Sequence, residues 1–200
     1  MKEQKRMEDD SGCPDNKEDI TLLRSFLTGN DHAFSSIYNK YVAELFGYGI
    51  GLGSEREMLK DAIQDVFYTF YVRKNQLTEV RNLKYYLFRM LKNRLLDMYK
   101  STVHVNEAEP PEEMSFTIKT TILDELIAEE EKTALQIKID TLLSTLTSRQ
   151  KEAVYLRFMQ EMEYEEIGRL LEMTPQAVRK LIFRAIKRLR EENIPFYLLF

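Results

Sequence analysis

Three features of the sequence predict an all-α protein made of two helical domains. Apolar residues recur at three- and four-residue intervals along most of the chain, which is the period of an amphipathic helix. The 200 residues include only seven glycines, and no alternating run of Val, Ile and Thr is long enough to predict a sheet. An acidic stretch containing Pro110-Pro111 interrupts the periodicity, so we expect a linker between two folded regions.

The expected boundaries follow these changes in composition. Residues 1–18 are predicted to be a disordered N-terminal tail, residues 19–100 the first domain, and residues 101–134 a flexible acidic linker. Residues 135–192 are predicted to form the second domain. Residues 193–200 then make an apolar C-terminal tail.

The first domain is predicted to begin with a helix near residues 19–28. Gly29 and Asn30 end this helix because the pair favours a turn, and Asp31 is expected to cap the next helix. One face of that second helix carries an apolar stripe that we assign to the core: Phe34, Ile37, Tyr41 and Leu45.

Four glycines are expected to end the second helix: Gly47, Gly49, Gly51 and Gly53. Ser54 and Glu57 have the spacing of a capping box, which predicts a third helix over residues 55–73. A fourth helix is predicted from Leu83 to Lys100.

The second domain is predicted to begin with a helix whose apolar stripe runs through Leu135, Ile139, Leu142 and Leu146. A further capping box, made by Thr147 and Gln150, predicts a helix near residues 148–160.

Residues 164–190 have the pattern of a helix-turn-helix. A helix from Tyr164 to Glu172 is followed by a three-residue break and a longer helix that starts at Pro175. Thr174 is a favourable N-cap, and proline at the first helical position loses no hydrogen bond because that N–H has no partner in a helix. Four residues on one side of the second helix are expected to pack on the first: Val178, Ile182, Ala185 and Leu189.

The charge distribution is more informative than the net charge of -4, which by itself argues against nucleic-acid binding. Residues 1–19 carry a net charge of -3 and residues 101–135 a net charge of -7. By contrast, residues 81–100 carry +5, and residues 175–190 hold six basic side chains and no acid. Each half of the chain therefore has one short basic segment suited to phosphate contact.

The outward face of the second helix of the helix-turn-helix is basic and carries one aromatic ring. Arg can donate two hydrogen bonds to guanine, Gln can pair in the same way with adenine, and Lys can contact phosphate. A solvated basic face on an ordinary helix is the alternative, but the capped turn and the absence of acids favour DNA. The candidate residues are Gln176, Arg179, Lys180, Phe183, Arg184 and Lys187.

Three stretches of this half resemble region 4 of the extracytoplasmic-function (ECF) sigma factors, in the sigma-70 superfamily: Leu146 to Ala153, Tyr164 to Ile167, and Val178 to Ala185. In that family the domain binds the -35 promoter element. The resemblance implies that Arg179 and the other candidates on the outward face lie against -35 DNA.

The stretch from Asp61 to Phe67 resembles region 2.2 of the same family, which docks on the clamp coiled coil of the largest polymerase subunit. Four residues lie on one helical face and are implied to bind core polymerase: Asp61, Gln64, Asp65 and Tyr68. The opposite face carries a core stripe of Leu59, Ile63, Val66 and Phe70. Without the resemblance, the polar face would be read as merely solvated.

Further along, Tyr86-Leu87 and Lys92-Asn93 with Asp97 resemble regions 2.3 and 2.4, which recognise and melt the -10 element. A separated strand needs a positive surface, and an extruded base needs an aromatic or hydrogen-bonding pocket. The candidates on one face of the fourth helix are Tyr85, Arg89, Lys92 and Asn93. The loop 74–82 is expected to contact a flipped base, whereas Tyr86 is better explained by core packing.

Three positions depart from the family pattern. Glu163 stands where Ser commonly caps the first helix of the helix-turn-helix, so we expect a weaker cap. Glu172 stands at the turn position usually held by Gly, and a left-handed backbone there would cost about 1 kcal/mol. Tyr86 replaces the usual Trp and adds a hydroxyl that needs a partner.

The resemblance implies core RNA polymerase as a partner, through its clamp coiled coil and the flap of the second-largest subunit, together with promoter DNA. An anti-sigma factor or other recruiting protein is a further expected partner. The apolar tail 194–200 is a candidate site for it, although folding of the tail back onto the second domain is the simpler expectation. We expect affinity for DNA alone to be poor.

The composition also predicts what is absent. A lone Cys13, and His32 and His104 far apart, predict no disulfide, metal or cofactor and fit a reducing cytoplasm. Asp9 and Asp10 stand where a signal peptide would be apolar, and no run is apolar enough for membrane insertion.

Two other classes of function are compatible with parts of the sequence. A stand-alone helix-turn-helix regulator would bind a palindromic site without polymerase. A helical enzyme could use the carboxylate pair Asp61 and Asp65. We expect no enzyme, because no His, Cys, phosphate loop or third acid accompanies that pair.

Overall fold

The computed structural model describes residues 14–106, 115–118 and 140–191, and of residues 14–16 and 102–106 it describes the backbone alone. As predicted, the protein is all-α, and the described residues contain no strand. The α-helices are α1 (Pro14–Leu27), α2 (Asp31–Gly51), α3 (Arg56–Val72), α4 (Leu83–Asn106), α5 (Ser148–Phe158), α6 (Tyr164–Leu170) and α7 (Pro175–Glu191). A 3-10 helix (Lys74–Glu79) lies between α3 and α4, and residues 140–144 are helical.

Helices α1 to α4 and the 3-10 helix form the N-terminal half, residues 14–106. The apolar stripe predicted for α2 is mostly buried, and Ile37, Tyr41 and Leu45 have no exposed surface. The ring of Phe26 in α1 stacks on Phe70 of α3 with centroids 5.3 Å apart, so aromatic side chains join the first three helices.

Two helix starts differ from the prediction. The N-cap of α2 is Asn30, not Asp31, and its side chain accepts a hydrogen bond from the His32 amide at 3.0 Å. The capping box expected of Ser54 and Glu57 does not form: Glu55 is the N-cap of α3, and the buried Ser54 hydroxyl has no hydrogen-bond partner in the described part of the chain. In both cases the observed N-cap is one residue away from the predicted one. Sequence patterns locate helix ends least precisely.

The prediction that glycines end α2 after Leu45 is also wrong, because the helix continues to Gly51. Its glycines allow close packing instead. A Cβ at position 49 would lie 2.2 Å from a methyl carbon of Leu59 in α3, and a Cβ at position 51 would lie 2.7 Å from the ring of Phe116. Only Gly53, with φ of 80°, provides the conformational freedom of a turn.

Helices α5 to α7 and residues 140–144 belong to the C-terminal half, residues 140–191. The predicted capping box is present at the start of α5: Gln150 N donates to the Thr147 hydroxyl at 3.3 Å, and Thr147 N donates to the Gln150 side chain at 3.0 Å. The side of α7 that was predicted to pack is buried at Val178, Ile182, Ala185 and Leu189.

The two halves touch each other, and their buried apolar residues form one contiguous cluster. The segment 115–118 lies between them, with Phe116 buried. The sequence had predicted no packed element there, so Phe116 is a correction. Of the predicted N-terminal tail 1–18, residues 1–13 lie outside the described residues, and residues 14–18 are helical because α1 begins at Pro14, which corrects the prediction. The predicted C-terminal tail 193–200 and most of the predicted linker also lie outside the described residues.

Candidate nucleic-acid interface

Helix α7 presents the predicted DNA-contacting residues to solvent. All six candidates are exposed, and Phe183 keeps 68% of its surface accessible although it is aromatic. Because the other side of α7 is buried against α5 and α6, the helix is held with its basic face outward.

The turn before α7 is built by three local features. The Thr174 hydroxyl accepts a hydrogen bond from the Ala177 amide at 3.2 Å, as expected of an N-cap. Glu172 has φ of 55°, so its backbone is left-handed at the turn position where the cost of about 1 kcal/mol applies. At Gly168 an added Cβ would lie 2.7 Å from the Met173 carbonyl oxygen, which means that the turn crosses α6 where only glycine fits.

The cap of α6 is better than expected. The Glu163 amide donates to the Glu166 side chain at 2.9 Å, and the Glu163 carboxylate accepts from Arg157 at 3.2 Å. Glu163 is therefore anchored from both sides, and the weak cap predicted from its residue type is offset.

Tyr164 is a residue that sequence reasoning missed. The guanidinium carbon of Arg157 lies 4.8 Å from the centroid of the Tyr164 ring, and that of Arg179 lies 4.9 Å from the same centroid. These are cation–π distances, and they connect the first turn of α6 to the predicted base-contacting arginine of α7. Arg157, Tyr164 and Arg179 lie on three different helices, α5, α6 and α7, so helical periodicity could not have joined them.

The four candidates on α4 share one face, but they are not equally accessible. Asn93 and Arg89 are exposed, and Arg89 Nη1 donates to the Tyr85 hydroxyl at 3.3 Å. Tyr85 is largely buried. Lys92 is mostly covered, because its Nζ lies 2.8 Å from Glu152 Oε1 of the C-terminal half.

The loop 74–82 that was expected to contact a base is largely the 3-10 helix, with Leu77 buried. An open cleft of about 520 Å³ lies between it and α1. Asn82 at its end accepts from the Tyr85 amide at 2.8 Å and donates to Glu166 in α6. The loop therefore borders a cleft that is open to solvent, which the sequence pattern alone does not predict.

On α3 the polar face predicted for polymerase is exposed at Asp61, Gln64 and Tyr68. Asp65 is different, since its Oδ2 is 2.6 Å from Arg94 Nη2 and accepts from Nε at 2.8 Å. Beside this face, aromatic side chains of α2 and α3 line an open groove of about 550 Å³: Phe34, Tyr38, Phe46, Phe67, Tyr68 and Tyr71.

Glu152 is the second residue that the sequence did not single out. Its Oε1 accepts from the Tyr48 hydroxyl at 2.6 Å as well as from Lys92. Burial raises the pKa of Tyr48 well above its usual value and the Glu152 carboxylate adds to the rise, so this phenol stays a neutral donor. From sequence alone, an acidic residue on a helix is expected to face solvent. Periodicity therefore could not identify Glu152 as a buried residue.

Within the described ranges no three His, Cys, Asp or Glu side chains form a group that could hold a metal ion. None of the helices described is long and apolar enough to cross a membrane.

Residues 136–189 match the family model "Sigma-70, region 4". The ECF RNA polymerase sigma factor SigM of Bacillus subtilis (strain 168) is 22% identical over 163 residues, which is 77% of this chain and 91% of that protein. The family-model match covers the helix-turn-helix described above.

Two solved structures share the fold. The sigma factor RpoE, in complex with the anti-sigma factor NepR from Bartonella quintana, has a TM-score of 0.56 at 21% identity and covers 79% of this chain and 94% of its own. CnrH, in complex with the cytosolic domain of CnrY, has a TM-score of 0.57 at 18% identity, covering 86% and 95%. With the capped helix-turn-helix and its outward basic face, these findings lead to one conclusion: residues 136–189 match region 4 of the sigma-70 factors, and the chain is similar to an ECF sigma factor over most of its length.

Proposed function

We propose that this protein binds core RNA polymerase and directs initiation at promoters by reading a -35 element with α7 and a -10 element with the α4 face. The observation that carries the proposal is the surface of α7, where six predicted contact residues are exposed and residues 175–190 hold no acid. Such a helix can enter a major groove without repelling the phosphates.

For the -35 element we propose that Arg179 and Arg184 contact base edges, and that Lys180 and Lys187 contact phosphates. Gln176 lies near the start of α7, from which side chains reach base edges in this motif. Phe183 would touch a thymine methyl group.

For the -10 element we propose that the separated strand lies along Arg89, Lys92 and Asn93 of α4. The cleft beside the 3-10 helix is large enough for one extruded base, since ligand pockets begin at about 300 Å³. Tyr85 supports Arg89 through its hydroxyl. Two basic side chains and one amide fit the backbone and base edges of a single strand.

For core polymerase we propose that the clamp coiled coil docks on α3 at Asp61, Gln64 and Tyr68, and that the flap contacts the C-terminal half. Asp65 contributes less directly, because Arg94 already neutralises it. The aromatic groove beside these residues would add apolar area to a polar docking face.

The two structural neighbours are complexes with the anti-sigma factor NepR and with CnrY. We propose that this protein is also controlled by an anti-sigma partner. Because polymerase works there, we propose that it acts in the cytoplasm, and that it acts as an initiation factor and not as an enzyme.

The test is transcription from a pool of genomic fragments by sigma-free core polymerase, with and without the protein. We expect initiation at discrete sites that share two spaced elements. Arg179→Ala should lower initiation by about tenfold, as for the loss of one bidentate base contact. Arg190→Ala, which removes a cation from the same helix outside the predicted contacts, is the matched control.

A stand-alone regulator would give the opposite result: tight binding to a palindromic duplex without polymerase, and no initiation with it. The region 4 match and the similarity to SigM over most of the chain do not favour this alternative. An enzyme that uses Asp61 and Asp65 is disfavoured by the ion pair between Asp65 and Arg94.

A further inference from the structure

A cavity of about 250 Å³ lies between α4, the start of α5 and the turn that follows α6. Basic side chains from three helices line it: Arg89 and Lys92 of α4, Arg149 of α5 and Arg169 of α6. The acids in its wall are Glu152 and Glu172. The wall therefore carries more positive than negative charge, which favours an anion.

The cavity is open to solvent and small. Arg89, Asn93, Arg149 and Arg169 are all exposed, so a ligand can enter from outside. At about 30 Å³ of liquid volume for each water, the cavity has the volume of roughly eight waters. Pockets for drug-sized ligands begin at about 300 Å³. The cavity can therefore hold a diphosphate group, and the body of a larger ligand would remain outside.

Tyr85 brings two of these arginines together. Arg89 Nη1 donates to the Tyr85 hydroxyl at 3.3 Å, and the guanidinium of Arg169 lies 5.7 Å from the centroid of the same ring. Neither guanidinium forms an ion pair among the described residues, although Glu166 attracts Arg169 from beyond ion-pair distance. Arginine binds phosphate oxygens with two parallel N–H donors. Two arginines held at one largely buried ring can thus bind two phosphate groups.

The acids of the wall do not neutralise these arginines. Glu152 Oε1 accepts from the Tyr48 hydroxyl at 2.6 Å and from Lys92 Nζ at 2.8 Å, and only 6% of the Glu152 side chain is exposed. This carboxylate is therefore already shared by two donors. Glu172 is exposed in the turn before α7, where water and salt screen its charge.

The start of α5 adds to the positive potential. Ser148 and Arg149, the first two residues of this 11-residue helix, line the cavity. The N-terminus of a helix carries a partial positive charge, and its N–H groups favour phosphate. Asn93 of α4 also lines the cavity, and its amide can donate to a phosphate oxygen. Side chains and helix end together suit a phosphate-bearing ligand.

We propose that this cavity binds a diphosphate, either free or as part of a nucleoside diphosphate, with Arg89 and Arg169 as its principal contacts. The inference goes beyond the proposed function, because Arg149 and Arg169 have no proposed contact with DNA. Arg89 and Lys92 are also proposed to contact the -10 strand, so a bound diphosphate would compete with that strand. This consequence alone rests on the proposed function.

Isothermal titration calorimetry of the full chain tests the proposal, with sodium pyrophosphate, inorganic phosphate and ADP as probes at constant ionic strength and without divalent cations. We expect saturable binding of pyrophosphate, about tenfold tighter than that of phosphate, because a second phosphate group adds hydrogen bonds to charged donors. If ADP binds as tightly as pyrophosphate, the site accepts a nucleoside diphosphate. Binding of pyrophosphate without ADP would identify free diphosphate as the ligand.

Two variants locate the site. Arg149→Gln and Arg169→Gln each remove one charge from the cavity wall, and each should raise the Kd for pyrophosphate by about tenfold, as for the loss of one hydrogen bond to a charged group. Arg190→Gln removes an exposed cation of the same half that does not line the cavity. This control should bind pyrophosphate like the parent protein.

Absence of saturable pyrophosphate binding by the parent protein would overturn the inference. An equal loss in Arg190→Gln would overturn it too, since this result reports attraction to the whole basic surface and not to the cavity. Equal affinities for phosphate and pyrophosphate would contradict a diphosphate site. The titrations contain neither DNA nor polymerase, so failure of the proposed function, seen as no initiation with core polymerase, is a separate result.

Discussion

The guanidinium of Arg179 lies 4.9 Å from the centre of the Tyr164 ring. The arginine belongs to α7 and the tyrosine to the first turn of α6, so the ring limits where the guanidinium can point before any DNA arrives. A side chain that is already oriented loses less conformational freedom on binding. The positioning of Arg179 is therefore a property of the whole helix-turn-helix.

We expect Tyr164→Ala to weaken binding of the polymerase complex to a -35 duplex by about fivefold, since an exposed cation–π contact contributes about 1 kcal/mol. Tyr164→Phe keeps the aromatic face and should bind like the parent. Fluorescence anisotropy with a labelled duplex measures both. An equal loss in the two variants would mean that the hydroxyl acts, and not the ring.

Gly49→Ala should destabilise the N-terminal half by about 1–3 kcal/mol, the usual cost of overpacking, because the new Cβ would lie 2.2 Å from a Leu59 methyl carbon. Urea denaturation measures the change. In the Gly49→Ala background, Leu59→Ala should cost less than it does in the parent. Strictly additive costs would show that the two positions do not touch.

Glu172→Gly should stabilise the protein by about 1 kcal/mol, because glycine adopts the observed φ of 55° without a Cβ clash. Glu172→Ala keeps the Cβ and is the matched control, with no gain expected. Thermal unfolding compares the three proteins. If the Ala variant gains as much as the Gly variant, removal of the charge is the cause.

Stability should fall in alkali through Tyr155. Burial raises the pKa of Tyr155 to about 12, above an unfolded value of about 10, so its contribution is fully present below about pH 10 and is lost as pH rises towards 12. Tyr155→Phe removes this part of the dependence of stability on pH. Urea unfolding at about pH 9 and about pH 11 should show a smaller difference for the variant than for the parent.

Tyr155→Phe also loses the hydrogen bond that Gln160 donates to the Tyr155 hydroxyl. This loss lowers the free energy of unfolding by a similar amount at both pH values. The difference between the two pH values is therefore the informative quantity. Equal differences in parent and variant would assign the alkaline loss to other groups, Tyr48 first among them.

Sequence predicted the helix-turn-helix closely because its signals are local. Thr174, Pro175 and the capping box of Thr147 and Gln150 act within one helical turn, and each is found where expected. The prediction that one side of α7 packs on its neighbours was also correct, because burial against a neighbouring helix selects every third or fourth residue.

The extent of α2 and the junction between the halves could not be predicted in this way. Gly49 and Gly51 look like helix breakers until Leu59 and Phe116 are seen to fill the space above them. Glu152 looks solvated until Lys92, 60 positions earlier, is seen beside it. These relationships depend on contacts distant in sequence, which periodicity does not encode.

The hydrogen bond between Tyr48 and Glu152 spans 104 positions, and this separation has a consequence during synthesis. Chains are made from the N-terminus, and their domains generally fold in that order. The ribosome completes Tyr48 and Lys92 well before it adds Glu152, so on a nascent or prematurely terminated chain neither side chain has its carboxylate partner. Only a chain that extends past Glu152 can form these two bonds.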